Sequence, residues 1–189
     1  TMVIKPAEEL PLGLRAIRVL FLEYADSLGV DLSFQDFATE LETLPGCYAG
    51  PGGGLFLALA SPTAALSGAD ADTRQADDFS GFAGCVGVRA FNDGTDGACE
   101  MKRLYVRPAF QKLGLGKRLA LTAMTFARRA GYRRMRLDTL PSMRAAMGLY
   151  ERLGFSVIAP YRYNPIPGTV YYEADLKDGH LPGADDITC

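Results

Sequence analysis

Residues 100–155 read EMKRLYVRPAFQKLGLGKRLALTAMTFARRAGYRRMRLDTLPSMRAAMGLYERLGF. A strand-like run over 100–106 leads through Arg107 and Pro108 into the loop Gln111-Lys112-Leu113-Gly114-Leu115-Gly116. A helix pattern follows at once. Leu119, Ala123, Phe126, Ala127 and Ala130 fall on one face, with Lys117, Arg118, Thr125, Arg128 and Arg129 on the other. A second strand over 135–139 and a second helix over about 142–153 close the unit.

A strand that enters a helix through paired glycines is an anion trap. The first helical amides lack intrahelical acceptors and point outward as free donors. The helix dipole adds roughly half a positive charge at that end. Gly114 and Gly116 carry no Cβ, so a phosphate can approach the backbone closely. Eleven Lys or Arg and no Asp or Glu lie between Lys102 and Arg136, in a chain of net charge −2. The basicity is concentrated where the loop needs it.

Two familiar phosphate loops fail here. The P-loop pattern wants Gly and Ser or Thr where Gln111 and Arg118 stand. The dinucleotide fingerprint wants a third Gly where Leu119 stands, and about a hundred residues precede this segment. What remains, Gln/Arg-x-x-Gly-x-Gly/Ala between a strand and a long helix, resembles the acetyl-CoA-binding motif of the GNAT N-acetyltransferase superfamily. Downstream, residues 146–155 (AMGLYERLGF) are similar to the superfamily's A-x-x-LYE-x-x-GF signature. Met143 departs from it, standing where many members carry Asn.

The resemblance implies an α/β (α+β) fold: a mixed, largely antiparallel central sheet flanked by helices, with acetyl-CoA wedged between central strands. It implies a pyrophosphate site at Gln111, Leu113, Gly114, Leu115, Gly116, Lys117 and Arg118. The oxyanion would meet a backbone N–H of Leu104, Tyr105 or Val106, where neighbouring strands splay. It also implies a base carboxylate at Glu100 and a general acid at Tyr150 for the departing thiolate. Each has a plainer alternative: Glu100 pairing with an Arg or Lys such as Lys102 or Arg103, and Tyr150 filling an inward helical stripe with Ala146, Leu149 and Leu153. A base matters most for an aliphatic amine. Near pKa 10.4, such an amine costs ~4.6 kcal/mol to present neutral at pH 7, against ~1.1 for an α-amine.

The rest of the chain suits one domain over 1–189, with a loosely held tail over about 177–189. Composition is that of a soluble globule, 48% hydrophobic and 22% charged. No apolar run approaches ~20 residues and no leader pattern opens the chain, where Thr1 before Met2 reads as a tag remnant. Cytoplasmic localisation, without membrane or nucleic acid as partner, is the expectation; a homodimer is left open. The four cysteines follow no C-x-x-C spacing and read as free thiols. His180 is the one histidine, which argues against a His-based metal site or Ser-His-Asp triad; no metal is expected.

Helical spacing marks residues 10–28, and a second helix starts after Ser33 as N-cap and runs through Leu44. Their carboxylates Glu23, Asp31, Asp36 and Glu40 either attract an amine or line a solvated face. Strands are expected over 3–5, 55–60, 82–91, 98–106, 155–159 and 170–176, with a surface loop over 61–80. Tyr161, Arg162, Tyr163, Asn164, Tyr171 and Tyr172 either line an acceptor pocket or form a hairpin surface. The function expected is transfer of acetyl from acetyl-CoA directly to a primary amine of a small molecule, such as an amino acid or amine metabolite. The alternatives are a protein or peptide N-acetyltransferase and a non-catalytic acyl-CoA-binding sensor module.

Overall fold

The structure, a computed structural model, describes residues 2–60 and 79–177. β1 (Val3–Pro6), β2 (Gly54–Leu59), β3 (Phe82–Ala90), β4 (Ala98–Val106), β5 (Arg134–Thr139), β6 (Ser156–Ile158) and β7 (Val170–Asp175) form one sheet. Their spatial order is β1-β2-β3-β4-β5-β7-β6. β4 and β5 run parallel and every other neighbouring pair is antiparallel. The expected mixed sheet flanked by helices is what forms.

Side chains alternate across the sheet, so each strand feeds two cores. Cys99, Met101, Met135 and Leu137 face α3 (Leu115–Arg129) and α4 (Arg144–Arg152), and join their buried Leu119, Ala123, Met124 and Leu153. Leu55, Leu57, Leu59 and Cys85 face the other way, against Ile17, Leu20 and Phe21 of α1 (Gly13–Leu28). Burying such side chains is worth about 1.5–3 kcal/mol each, which is what holds the helices to the two faces. Among the described residues no helix is long and apolar enough to cross a membrane.

Two expectations change. The first helix starts at Gly13, not near Leu10, because a short 3-10 turn over Ala7–Glu9 packs beneath it. A Cβ on Gly13 would lie 1.8 Å from the Ala7 carbonyl oxygen, so only glycine fits that entry. The second helix is not continuous. A 3-10 turn over Ser33–Gln35 ends at Asp36, whose φ is 54°, and α2 spans only Phe37–Glu42. The loop expected over 61–80 lies largely outside the described residues, as does the tail beyond Lys177.

The break at Asp36 has a visible purpose. It lets Gln35 and Glu40 reach one guanidinium from two directions. Arg103 of β4 donates to Gln35 at 2.9 Å and to both oxygens of Glu40 at 3.2 and 2.6 Å. Arg107 likewise grips Glu23 of α1 at 2.9 and 2.7 Å. Both helices are thereby bolted to the strand that carries the central segment. Burial pushes the Glu40 carboxyl up, but the Arg103 guanidinium outweighs it and holds the group below its ordinary value.

Arg103→Met strands a buried carboxylate and is expected to cost about 3–5 kcal/mol, read as a lower denaturation midpoint. Stability from the Glu40 contact is present above the unfolded carboxyl value of 4.5 and is lost as pH falls through the lower folded value. A midpoint within 1 kcal/mol of the parent, on the scale of exposed pairs of about 0–1 kcal/mol, would rule out the bolt.

Candidate active site

β4 and β5 pair only at Ala98↔Arg134, Cys99↔Met135 and Glu100↔Arg136. Beyond Glu100 they part, while β5 stays paired to β7 as far as Thr139↔Val170. At Arg103 the β4 backbone turns to φ 59°, and its register against β3 slips between Cys85 and Gly87. A bulge of this kind bends one strand away from its neighbour. The wedge holds a cavity of about 30 Å³ lined by Met101, Lys102, Arg103 and Leu104 of β4 and Leu137, Asp138 and Thr139 of β5. Tyr24, Met143 and Tyr150 complete its wall.

At one end of the wedge lies the loop before α3. Gly114 sits at φ 73°, a conformation that favours glycine, and the first α3 amide to be bonded is Arg118, to the Gly114 oxygen at 3.2 Å. The amides of Leu115, Gly116 and Lys117 find no acceptor among the described residues, as expected of a helix start. A Cβ on Gly116 would meet only Leu149 and Val106 at ordinary contact, 3.7 and 3.9 Å. The protein itself therefore leaves room there. Lys112, Leu113 and Lys117 are exposed beside these amides. Gln111 instead donates to the Val106 oxygen at 3.1 Å, and Arg118 to the Met2 oxygen at 3.0 Å. Leu104 lines the cavity, Val106 borders Gly116, and the Tyr105 ring packs edge-on against Tyr24.

The opposite end is ionic. Glu100 is 1% exposed, and both its oxygens are engaged. Oε1 accepts from Arg89 at 3.2 Å and from Arg162, and Oε2 accepts from Tyr161 at 3.3 Å. The paired alternative for Glu100 is thus the one realised, with Arg89 and Arg162 in place of Lys102 and Arg103. Tyr161 stacks edge-on between Phe91 and Tyr171, while Asn164 donates to Asp138 at 3.2 Å. Tyr163 is exposed, and Tyr172 turns to the opposite core, where its hydroxyl donates to Glu151 at 3.1 Å. Among the four helix carboxylates, Glu23 and Glu40 are bound to arginines, and Asp31 and Asp36 accept from Ser33 and Thr39.

Sequence reading missed Lys102, Asp138, Thr139 and Tyr24. The available signal was Glu100 and Lys102 alternating with the apolar Cys99 and Met101, which puts two charged residues on one face of a strand. Lys102 donates to Gln35 at 3.3 Å and lies 3.6 Å from Asp138. Burial lowers its ammonium to about 8. Burial pushes Asp138 up, but Lys102 and Asn164 outweigh it and hold it below the usual carboxylate range. Burial raises both Tyr24 and Tyr150. The Tyr150 hydroxyl has no hydrogen-bond partner among the described residues, and the buried Thr139 Oγ1 has none either.

Comparison with known proteins follows the same lines. A family model described as the Acetyltransferase (GNAT) family matches residues 61–155. An uncharacterized N-acetyltransferase of Schizosaccharomyces pombe is 36% identical over 171 residues, covering 90% of this chain and 93% of that protein. Another, from Dictyostelium discoideum, is 27% identical over 207 residues, covering 79% and 88%. In fold, the chain is similar to an acetyltransferase of the GNAT family from Staphylococcus aureus, with TM-score 0.67 and 16% identity over 94% of this chain and 100% of that one. It is also similar to an acetyltransferase from Streptococcus agalactiae, with TM-score 0.64 and 20% identity over 92% and 98%.

A buried hydroxyl without a partner costs about 1–3 kcal/mol, so the near-isosteric Thr139→Val is expected to stabilise the ligand-free protein by about 1 kcal/mol. Thermal unfolding reads this directly. A lower midpoint would mean that the hydroxyl is satisfied in the free protein.

Proposed function

This chain belongs to the GNAT acetyltransferase family, and we propose that it transfers acetyl from acetyl-CoA directly to a primary amine of a small molecule, such as an amino acid or amine metabolite. Family membership makes it an enzyme that uses an acyl-CoA and an amine acceptor. The observation that carries the finer reading is the wedge between β4 and β5. Its β4 edge runs from the buried ion pairs of Glu100, past the cavity lined by Lys102, Leu104, Asp138 and Thr139, to Val106, which borders Gly116 among the unbonded helix amides.

The residues fit an acyl-CoA. Three unbonded amides at Leu115, Gly116 and Lys117 suit a pyrophosphate, aided by Lys112 and Lys117 and by the helix dipole. Room over Gly116 admits the phosphates close to the backbone. The pantetheine arm then follows the β4 edge at residues 104–106 into the wedge, and the Thr139 hydroxyl there offers a hydrogen bond that no described residue takes up. The oxyanion of the transfer step falls to a backbone N–H of the same stretch of β4. The cavity of about 30 Å³ walled by Tyr24, Asp138 and Tyr150 supports a bounded acceptor over a long peptide.

Tyr150 is the acid in this reading. It lines the cavity, 6% exposed, with a hydroxyl uncommitted to any described residue. Burial raises its pKa, which alone would make it a poorer donor. Desolvation in the same wedge raises the proton affinity of the departing thiolate too, which acts in favour of the transfer. Glu100, bonded to Arg162 and Tyr161, anchors the loop after β6 in this reading.

Calorimetric titration with acetyl-CoA, followed by free-thiol release over amines, amino acids and short peptides, tests this. Binding and release with a small amine are expected; release with peptides alone would replace the acceptor class, and absence of binding would end the reading. Tyr150→Phe is expected to lower kcat about 100-fold while acetyl-CoA affinity moves less than threefold, on the scale of general acid catalysis. An unchanged kcat would remove Tyr150 as the acid.

A further inference from the structure

One group in the wedge remains without a role. Lys102 is buried inside β4, 5% exposed, and lines the cavity from which Tyr24, Asp138, Thr139 and Tyr150 are also reached. Its side chain lies on the Glu100 face of the strand, two residues beyond the last pair that joins β4 to β5, so it stands just inside the point where the strands part, beside the ion pairs of Glu100. An amine must cross that point to reach a thioester held in the wedge. We propose that Lys102 takes the proton from the acceptor's ammonium group and so makes it nucleophilic. This rests on the reading of the wedge as the site of acetyl transfer.

The other ionisable groups there are engaged or hold the wrong form. Glu100 has both oxygens occupied and lies outside the cavity lining. Glu40 is gripped at both oxygens by Arg103. Asp138, bound by Asn164 and facing Lys102, is held below its ordinary range and is a weak base. Tyr24, raised by burial, keeps its proton. The charged groups around Lys102 are Asp138 from β5, Glu100 and Arg103 from β4, and Arg89 from β3. The two arginines and burial lower it, the two carboxylates raise it, and the balance leaves it at about 8. At that value about a tenth of the enzyme carries a neutral amine at pH 7, against under a thousandth for an unperturbed lysine.

The step balances. Neutral Lys102 accepts one proton from R–NH3+ and becomes an ammonium, which Asp138 faces at 3.6 Å. The freed lone pair forms the N–C bond, and the carbonyl π electrons move to oxygen. Collapse breaks the C–S bond, and the thiolate takes the Tyr150 proton. The phenolate then recovers a proton from the acylated nitrogen. Lys102 returns its proton to solvent, which accounts for the one released per turnover.

The test is the pH dependence of kcat with two acceptors, one near pKa 10.4 and one near 7.8. In the parent enzyme, kcat is expected to rise with pH through about 8 and level off, at the same pH for both acceptors. A limb that follows the acceptor's own pKa overturns the proposal without any variant. Lys102→Arg keeps the charge but cannot act as a base. It is expected to lose about 100-fold or more in kcat and the limb near 8, with acetyl-CoA affinity within about threefold by calorimetry. Lys102→Met should behave alike. Full activity and an unchanged limb in Lys102→Arg would overturn Lys102 as base and leave acetyl transfer standing. Failure of the parent itself to release thiol with any amine would overturn both.

Discussion

The parting of β4 from β5 is the constraint on which the rest of this molecule depends. Parallel strands that stop pairing leave backbone donors and acceptors unmet, and such groups are costly away from water. Two features hold the gap open. The left-handed Arg103 bends β4 away, and β7 keeps β5 straight by pairing with it to its last residue. Arg103 is a bulky residue at a positive φ, which is strained unless its surroundings over-determine it. They do: its guanidinium is fixed by Gln35 and Glu40 and lies 4.9 Å from the Phe37 ring centre. The residue that bends the strand is the one that anchors the helical cover.

This coupling explains why ionic contacts sit where an apolar core would be more stable. A buried ion pair is weak evidence for stability, since desolvation offsets most of the attraction. What such a pair fixes is geometry. Arg103 and Arg107 set α2 and α1 at defined positions over β4, and Arg89 with Arg162 fixes the loop after β6 through Glu100. The wedge is thus roofed from both sides by charges that tolerate little movement.

The segment from β4 to α4 was legible because its determinants are local. Gly114 supplies the positive φ of the helix entry, and the 3.6-residue period of Leu119, Ala123 and Ala127 places α3 against the sheet. The break at Asp36 was not legible. Ser33 looks like a cap for a continuous helix, and the tertiary hold of Arg103 on Gln35 and Glu40 decides otherwise. Partners of Glu100 were equally hidden. The sequence neighbours Lys102 and Arg103 are obvious candidates, yet Arg103 is bent away by the bulge, and the true partners lie eleven residues earlier and sixty-two later. Charged pairs across a sheet are set by register, which composition does not carry.

Burial of the groups that line the wedge acts on both proton movements of an acyl transfer in the useful direction. Desolvation disfavours whichever form is charged, so it drives cationic acids to lose protons and anionic bases to gain them. Lys102, a cation, is lowered to about 8, while the Cys99 thiol on the neighbouring core face is pushed up to about 12. An acyl transfer to an amine starts with an ammonium that must shed a proton and ends with a thiolate that must acquire one. Burial favours the first event for the same reason that it favours the last. In the proposed transfer, fixed dipoles then have only the oxyanion between them to stabilise, and the stretch of β4 at residues 104–106 that β5 leaves unpaired is proposed to supply them.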